Sequence, residues 1–100
     1  MKQPFLNKDQ NVEIYVSNRD ARHIMQFRNS DQIAVVGSLP VIIERAIKIG
    51  ELPVAQDEQK TTKTVSVYYC PIKVEEKQYS GRMIVKEYYE GTQSVDELHL

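Results

Sequence analysis

The sequence is poor in the residues that most often carry catalytic or structural chemistry. It has one cysteine, two histidines and no tryptophan. A single cysteine cannot form an internal disulfide, and two histidines without further cysteines give no zinc-ligand spacing. Cys70 stands beside Pro71 in a run of strand-forming residues, so we interpret it as a small buried residue and not a nucleophile. No metal site and no cofactor are expected.

The chain also lacks an excess of charge of either sign and any long apolar run. It has 13 basic and 14 acidic residues, for a net charge of −1. This balance argues against strong nonspecific binding to nucleic acid or membranes, although a small basic patch is compatible with it. No apolar run approaches the roughly 18 residues that a membrane helix needs, and residues 1–10 contain no signal-peptide stretch. We therefore expect a cytoplasmic protein with no membrane partner.

Specific catalytic motifs are missing as well. The sequence contains no Walker loop, no dinucleotide-binding glycine signature, no HExxH and no GxSxG. One hundred residues are enough for one small domain and not for two. We expect a single domain over residues 1–100, in which the polar residues 1–11 form a flexible arm.

Three consecutive strands are predicted in the second half of the chain. Apolar residues alternate in Thr64–Val74, Arg82–Tyr89 and Thr92–Leu100, and period-2 alternation is typical of half-buried strands. The links are short enough for hairpins. The apolar parity of the first strand changes at Pro71, which predicts a β-bulge or a strand end there.

One strand and two helices are predicted before this meander. Val12–Val16 alternates strictly, Asn18–Arg28 carries an apolar helical stripe, and a second stripe runs from Leu39 to Ile49, with Gly50 as the helix stop. Glu51–Lys63 is predicted to be a long loop. The expected fold class is α+β, with two helices packed on an antiparallel sheet of about four strands in the order β-α-α-β-β-β. The packing residues of the helix layer are expected to be Ile24, Met25, Leu39, Ile42, Ile43, Ala46 and Ile47.

A loose set of polar residues is the only candidate for chemistry. His23 lies on the first predicted helix, and Arg82 and Lys86 share one face of a predicted strand because their positions differ by four. A histidine that moves protons near neutral pH and cations that stabilise phosphorus oxygens would suit metal-free phosphodiester cleavage. A surface or packing histidine and a solvated sheet face explain the same residues without any activity.

The order of elements resembles a known superfamily. The stretches Val16–Ile24, Leu39–Ala46 and Met83–Gly91 are similar to the compact nuclease domains of the barnase/EndoU/colicin/RelE-like superfamily, and more closely to phage-associated members in polyvalent or Mu-type head-associated proteins. The resemblance implies catalytic roles for His23, Arg82 and Lys86. Arg22, Lys73 and Tyr88 are the residues expected to bind RNA. The acidic final strand, Ser94–Leu100, departs from the pattern of that superfamily.

Two functions follow from these observations as alternatives. One is a small nuclease-like domain, a ribonuclease that cleaves RNA without metal. The other is a non-catalytic protein-interaction module of a phage or mobile element, which binds a protein partner or forms a homodimer through a sheet edge. The small net charge, the acidic last strand and the long charged loop favour the second alternative.

Overall fold

The structure, a computed structural model, describes residues 3–16, 39–74 and 76–99. In these ranges the chain forms six strands, one α-helix and a short 3-10 turn at Gln56–Glu58. The elements are β1 (Gln3–Asn7), β2 (Val12–Val16), α1 (Leu39–Arg45), β3 (Ile47–Leu52), β4 (Thr62–Val74), β5 (Lys77–Tyr88) and β6 (Gln93–His99). No helix among them is long and apolar enough to cross a membrane.

The expected α+β fold, with two helices on about four antiparallel strands, is wrong. The described part of the chain is mainly β, and its six strands form one mixed sheet in the order β1-β2-β6-β5-β4-β3. The pairing of β2 with β6, through Tyr15 and Ser94, is parallel, whereas the other pairs are antiparallel. The first predicted helix, Asn18–Arg28, lies outside the described residues.

The predicted meander of three strands is confirmed. β4 and β5 pair from Thr62 and Tyr88 down to Val74 and Lys77, and β6 pairs with the other side of β5. The link between β5 and β6 turns at Gly91, whose φ of +105° is unfavourable for residues with a side chain. The Gly91 N–H donates to the carbonyl of Tyr88 at 2.8 Å and closes this turn.

β1, at Gln3–Asn7, lies within the segment expected to be an arm. β1 pairs with β2, and the Asn7 side chain at the end of β1 is fully buried. Its Nδ2 donates to the carbonyl oxygens of Ile43 at 2.7 Å and Ala46 at 2.9 Å, while its Oδ1 accepts from the backbone N–H of Gln10 at 2.9 Å. The last carbonyls of a helix have no donor within the helix. Asn7 supplies that donor and so fastens the N-terminal hairpin to the end of α1.

The second predicted helix stops earlier than its apolar stripe suggests. α1 ends at Arg45, Ala46 is fully buried, and β3 begins at Ile47. Ile47 lies opposite Tyr69, and a β-branched residue beside an aromatic one is a favourable cross-strand pair. The Lys48 backbone N–H donates to the carboxylate of Asp9 at 3.0 Å, which fixes the start of β3. The predicted loop is shorter than expected, because β3 continues to Leu52 and β4 begins at Thr62.

The bulge predicted at Pro71 is also wrong. The register of β4 and β5 passes through Pro71 and Ser80 without a shift, and the shift in this pair lies between Thr62 and Thr64. The change of apolar parity has another cause: the first part of β4 has buried residues on both faces of the strand, and the later part has them on one face. The pairing of β4 with β3 stops at Tyr69 and Ile47. No described strand lies beside Pro71 on that side, so the N–H that proline lacks is not needed there for a strand hydrogen bond.

The two faces of the sheet are packed differently. The inner face, under α1, holds one continuous cluster of thirteen buried residues: Ile14, Val16, Leu39, Ile42, Ile43, Ala46, Tyr68, Cys70, Ile72, Met83, Val85, Val95 and Leu98. The outer face holds a smaller cluster of Val65, Val67 and Ile84, against which Val54 packs. The inner face therefore holds the main core. The polar residues that could bind a ligand lie on the outer face and at the edges of the sheet.

Candidate binding surfaces

The two cations predicted to be catalytic lie on the outer face of β5, four positions apart, but Lys86 is already paired. Its Nζ lies 2.6 Å from Oε1 of Glu58 and 3.6 Å from Oδ1 of Asp96. Glu58 belongs to the 3-10 turn before β4, and Asp96 lies where the register of β6 shifts against β5. Lys86 therefore holds both of these segments against the outer face.

The electrostatic surroundings of Lys86 favour its charged form. Partial burial lowers the pKa of Lys86, but the hydrogen bond to Glu58 and the negative charges of Asp96 and Glu58 outweigh this effect. The pKa consequently lies above the ordinary value of lysine. A phosphate that approached Lys86 would meet two carboxylates at the same point, and their charge would repel it.

A shallow depression of about 270 Å³ contains Arg82 and Lys86 together with residues of mixed charge. Its lining includes His99 and the carboxylates of Glu58, Asp96 and Glu97, and His99 is itself paired with Glu97 at 2.7 Å. Within the described ranges, no group of three or more histidine, cysteine, aspartate or glutamate side chains is arranged to hold a metal ion. The depression therefore offers a phosphate no concentration of positive charge.

Two further predicted site residues, Lys73 and Tyr88, are not part of the lining of this depression. Lys73 lies opposite Gln78 near the tip of the β4–β5 hairpin, eight positions and about 26 Å along β5 from Lys86. Tyr88 lies opposite Thr62 at the other end of β5. His23 and Arg22 are outside the described residues, so the roles assigned to the six residues remain predictions.

An exposed apolar strip runs along the edge of the sheet that is formed by β3. We call it the edge strip, and it consists of Ile47, Ile49 and Leu52 of β3 and Tyr69 of β4, with exposed fractions of 48%, 65%, 39% and 39%. The two charged residues of β3, Lys48 and Glu51, lie opposite the inner-face residues Tyr68 and Ser66 and pair with each other at 2.7 Å. The edge strip therefore carries no charge.

A groove of about 620 Å³ lies between α1 and β4. We call it the helix–edge groove, and its lining residues are Val41, Ile42, Arg45, Tyr69, Pro71, Ile72, Lys73, Gln78, Tyr79 and Ser80. Arg45 and Lys73 are the charged residues of this lining, and neither forms an ion pair with another residue of the described ranges. The groove is therefore both apolar and cationic.

Neither surface was predicted from the sequence, because the apolar stripe from Leu39 to Ile49 indicated a helix that includes Ile47 and Ile49. A signal was present, since Ile47 and Ile49 are two positions apart, which is strand spacing, and Pro53 follows shortly after Gly50. Arg45 looked like one of several solvated helix charges. That Arg45 and Lys73 line the same groove depends on the fold and could not be read from spacing.

Comparison with known proteins agrees with part of the resemblance. Residues 1–96 match the family model described as large polyvalent protein-associated domain 3, and the chain belongs to this family. No curated protein and no solved structure matched the chain. The polyvalent-protein part of the resemblance is thus confirmed. The nuclease and RNA-binding assignments find no support in the family match or in the mainly β fold.

Proposed function

We propose that the chain is a phage-related, non-catalytic protein-interaction module of large polyvalent proteins, and that two copies associate through the edge strip. The observation that carries this proposal is the exposure of Ile47, Ile49 and Leu52 on a single edge strand. Exposed apolar side chains that cluster at one place commonly mark interaction sites, whereas single ones are ordinary.

The electrostatics of β3 support an apolar contact. Lys48 and Glu51 lie on the other face of the strand and neutralise each other, so a partner that covers the edge strip does not have to desolvate an unpaired charge from this strand. Burying apolar surface contributes roughly 25 cal/mol per Å². The edge strip is short, and the association is expected to be weak.

A second copy of the chain is the partner that fits these properties. An uncharged apolar patch is complementary to itself, and a two-fold axis brings the same patch of both copies together. The net charge of −1 also gives little repulsion between copies.

The contact is expected to use side chains and not an extension of the sheet. The backbone N–H of Lys48 already donates to Asp9, so this part of the edge is closed to another strand. Natural sheets often close their edges in this way to prevent uncontrolled pairing. The apolar side chains beside the closed backbone remain accessible.

Light scattering coupled to size-exclusion chromatography at several protein concentrations tests the proposal. The wild-type chain should shift from monomer to dimer as its concentration rises, and Ile49→Lys should remain monomeric. Leu6→Lys is the control, because Leu6 on β1 is another exposed aliphatic residue, at 48%, but lies at the opposite edge of the sheet. A wild-type chain that stays monomeric at every concentration, or a dimer that survives Ile49→Lys, would overturn the proposal.

A further inference from the structure

Among the described strands, none pairs with the edge of β4 beyond the point where its pairing with β3 stops. β3 pairs with β4 only as far as Tyr69, whereas β4 continues to Val74. In the described part of the chain, residues 70–74 of β4 therefore have a strand neighbour on the β5 side and none on the other side. Five residues of strand span about 17 Å, enough for a short extended segment.

The helix α1 forms the opposite wall of this open edge. α1 directly precedes β3, and β3 runs antiparallel to β4. The residues before Ile47 form α1 and do not extend β3. A longer β3 would have lain beside residues 70–74, and the chain forms α1 at that point instead. Ile42 of α1 and Ile72 of β4 are both buried in the main core and line the helix–edge groove from its two sides. A groove between a helix and an open strand edge is a recurrent geometry for binding extended peptides.

The charge of the groove selects among such peptides. Arg45 stands in the last turn of α1 and Lys73 on β4, and both side chains are exposed. None of the described residues that line the groove is a carboxylate, although the chain as a whole has one more acidic than basic residue. An occupant with negative charge would pair with both cations, and the apolar walls would bury its uncharged side chains.

We infer that the helix–edge groove binds an extended acidic peptide segment of a partner protein, with the carboxylates on Arg45 and Lys73 and apolar side chains against Ile42 and Ile72. Pro71 provides no N–H to the occupant, so side-chain contacts carry much of the affinity. This site adjoins the edge strip and shares Tyr69 with it, but the two can be tested apart: the charged residues of the groove are Arg45 and Lys73, whereas the dimer contact depends on Ile49.

Fluorescence anisotropy with a labelled peptide of alternating valine and glutamate tests the inference. The wild-type chain and Ile49→Lys should bind this peptide equally, and a peptide of alternating valine and lysine should not bind. Arg45→Gln combined with Lys73→Gln should weaken binding at least about tenfold, because both charge contacts are lost. Thermal unfolding of this double variant should match that of the wild type, since both residues are exposed.

Lys60→Gln combined with Lys63→Gln is the matched control. Both lysines are exposed and outside the groove lining, and the variant changes the net charge by the same amount. Unchanged binding in this control supports the groove, whereas an equal loss in both double variants would overturn the inference in favour of nonspecific attraction. Absence of binding, or displacement of the peptide by inorganic triphosphate at the same concentration as by unlabelled peptide, would also overturn it.

Discussion

The inner and outer faces of the sheet are built from the same strands but by different means. The inner face is a continuous apolar core that unites α1 with β2, β4, β5 and β6. The outer face has a cluster of three residues, a single loop residue packed on it and an ion pair between Lys86 and Glu58 beside it. The inner face therefore holds the fold together, while the outer face and the edge of β3 leave apolar and charged groups accessible.

The largest effect is expected from a cavity in the inner face. Ile43 is fully buried, and Ile43→Ala should lower the free energy of unfolding by about 2–5 kcal/mol. Ile84→Ala on the outer face removes the same atoms from a site that is 7% exposed, where neighbouring groups can relax, and should cost clearly less. Chemical denaturation of both variants measures the difference. Equal losses would show that the two faces are equally well packed.

The second-largest loss of stability is expected from a change at Asn7, the buried polar residue that fastens the N-terminal hairpin to α1. Asn7→Asp preserves the shape but replaces the donor to Ile43 and Ala46 with an acceptor, and a buried group left without its partner costs about 1–3 kcal/mol. Asn11→Asp makes the same chemical change at an exposed residue of the same turn and should have little effect. Thermal unfolding compares the two variants. A stable Asn7→Asp protein would mean that the N-terminal hairpin is not fastened through Asn7.

The smallest effect is expected on the outer face. Lys86→Met removes the pairs with Glu58 and Asp96 and should cost about 0.5–1 kcal/mol, as partly exposed ion pairs do. Lys63→Met, at an exposed lysine with no ion pair among the described residues, is the control.

The stability difference between the wild type and Lys86→Met should depend on pH, because the pKa of Lys86 is raised. A lysine whose pKa is higher in the folded state stabilises the fold fully below its unfolded pKa of about 10.4, and loses this contribution as the pH rises through the folded pKa. The advantage of the wild type over Lys86→Met should thus be constant from pH 7 to about 9 and should disappear at more alkaline pH. If the wild type remains more stable than Lys86→Met at alkaline pH, the stabilisation comes from packing of the aliphatic part of the lysine side chain and not from its charge.

Local patterns predicted the elements whose pairing is also local. β2 and the meander of β4, β5 and β6 alternate with period 2, and short turns join the strands of the meander, so the sequence was sufficient for them. β1 was missed because its polar residues, Asn7 above all, gain their role from an α-helix more than thirty positions away. The end of α1 was missed because the pairing of Ile47 with Tyr69 overrides a helical stripe.

The same distinction applies to the candidate sites. The sequence correctly placed Arg82 and Lys86 on one face of a strand, because that follows from their spacing. It could not reveal that Glu58 neutralises Lys86, since these residues are 28 positions apart. Nor could spacing reveal the helix–edge groove, which exists because β3 is shorter than β4.

The position of β6 has a consequence for synthesis on the ribosome. β6 is the last of the described strands in the chain, yet it lies at the centre of the sheet, between β2 and β5. α1, β3, β4 and β5 can assemble as they emerge, because their contacts join neighbouring elements. The hairpin of β1 and β2 can dock on α1 through Asn7, but β2 gains its neighbour in the sheet only after Gln93–His99 leave the exit tunnel, and contacts so distant along the chain form slowly. During this interval the inner face of the nascent domain stays partly uncovered, so chaperone binding to stalled chains should decrease once β6 has emerged.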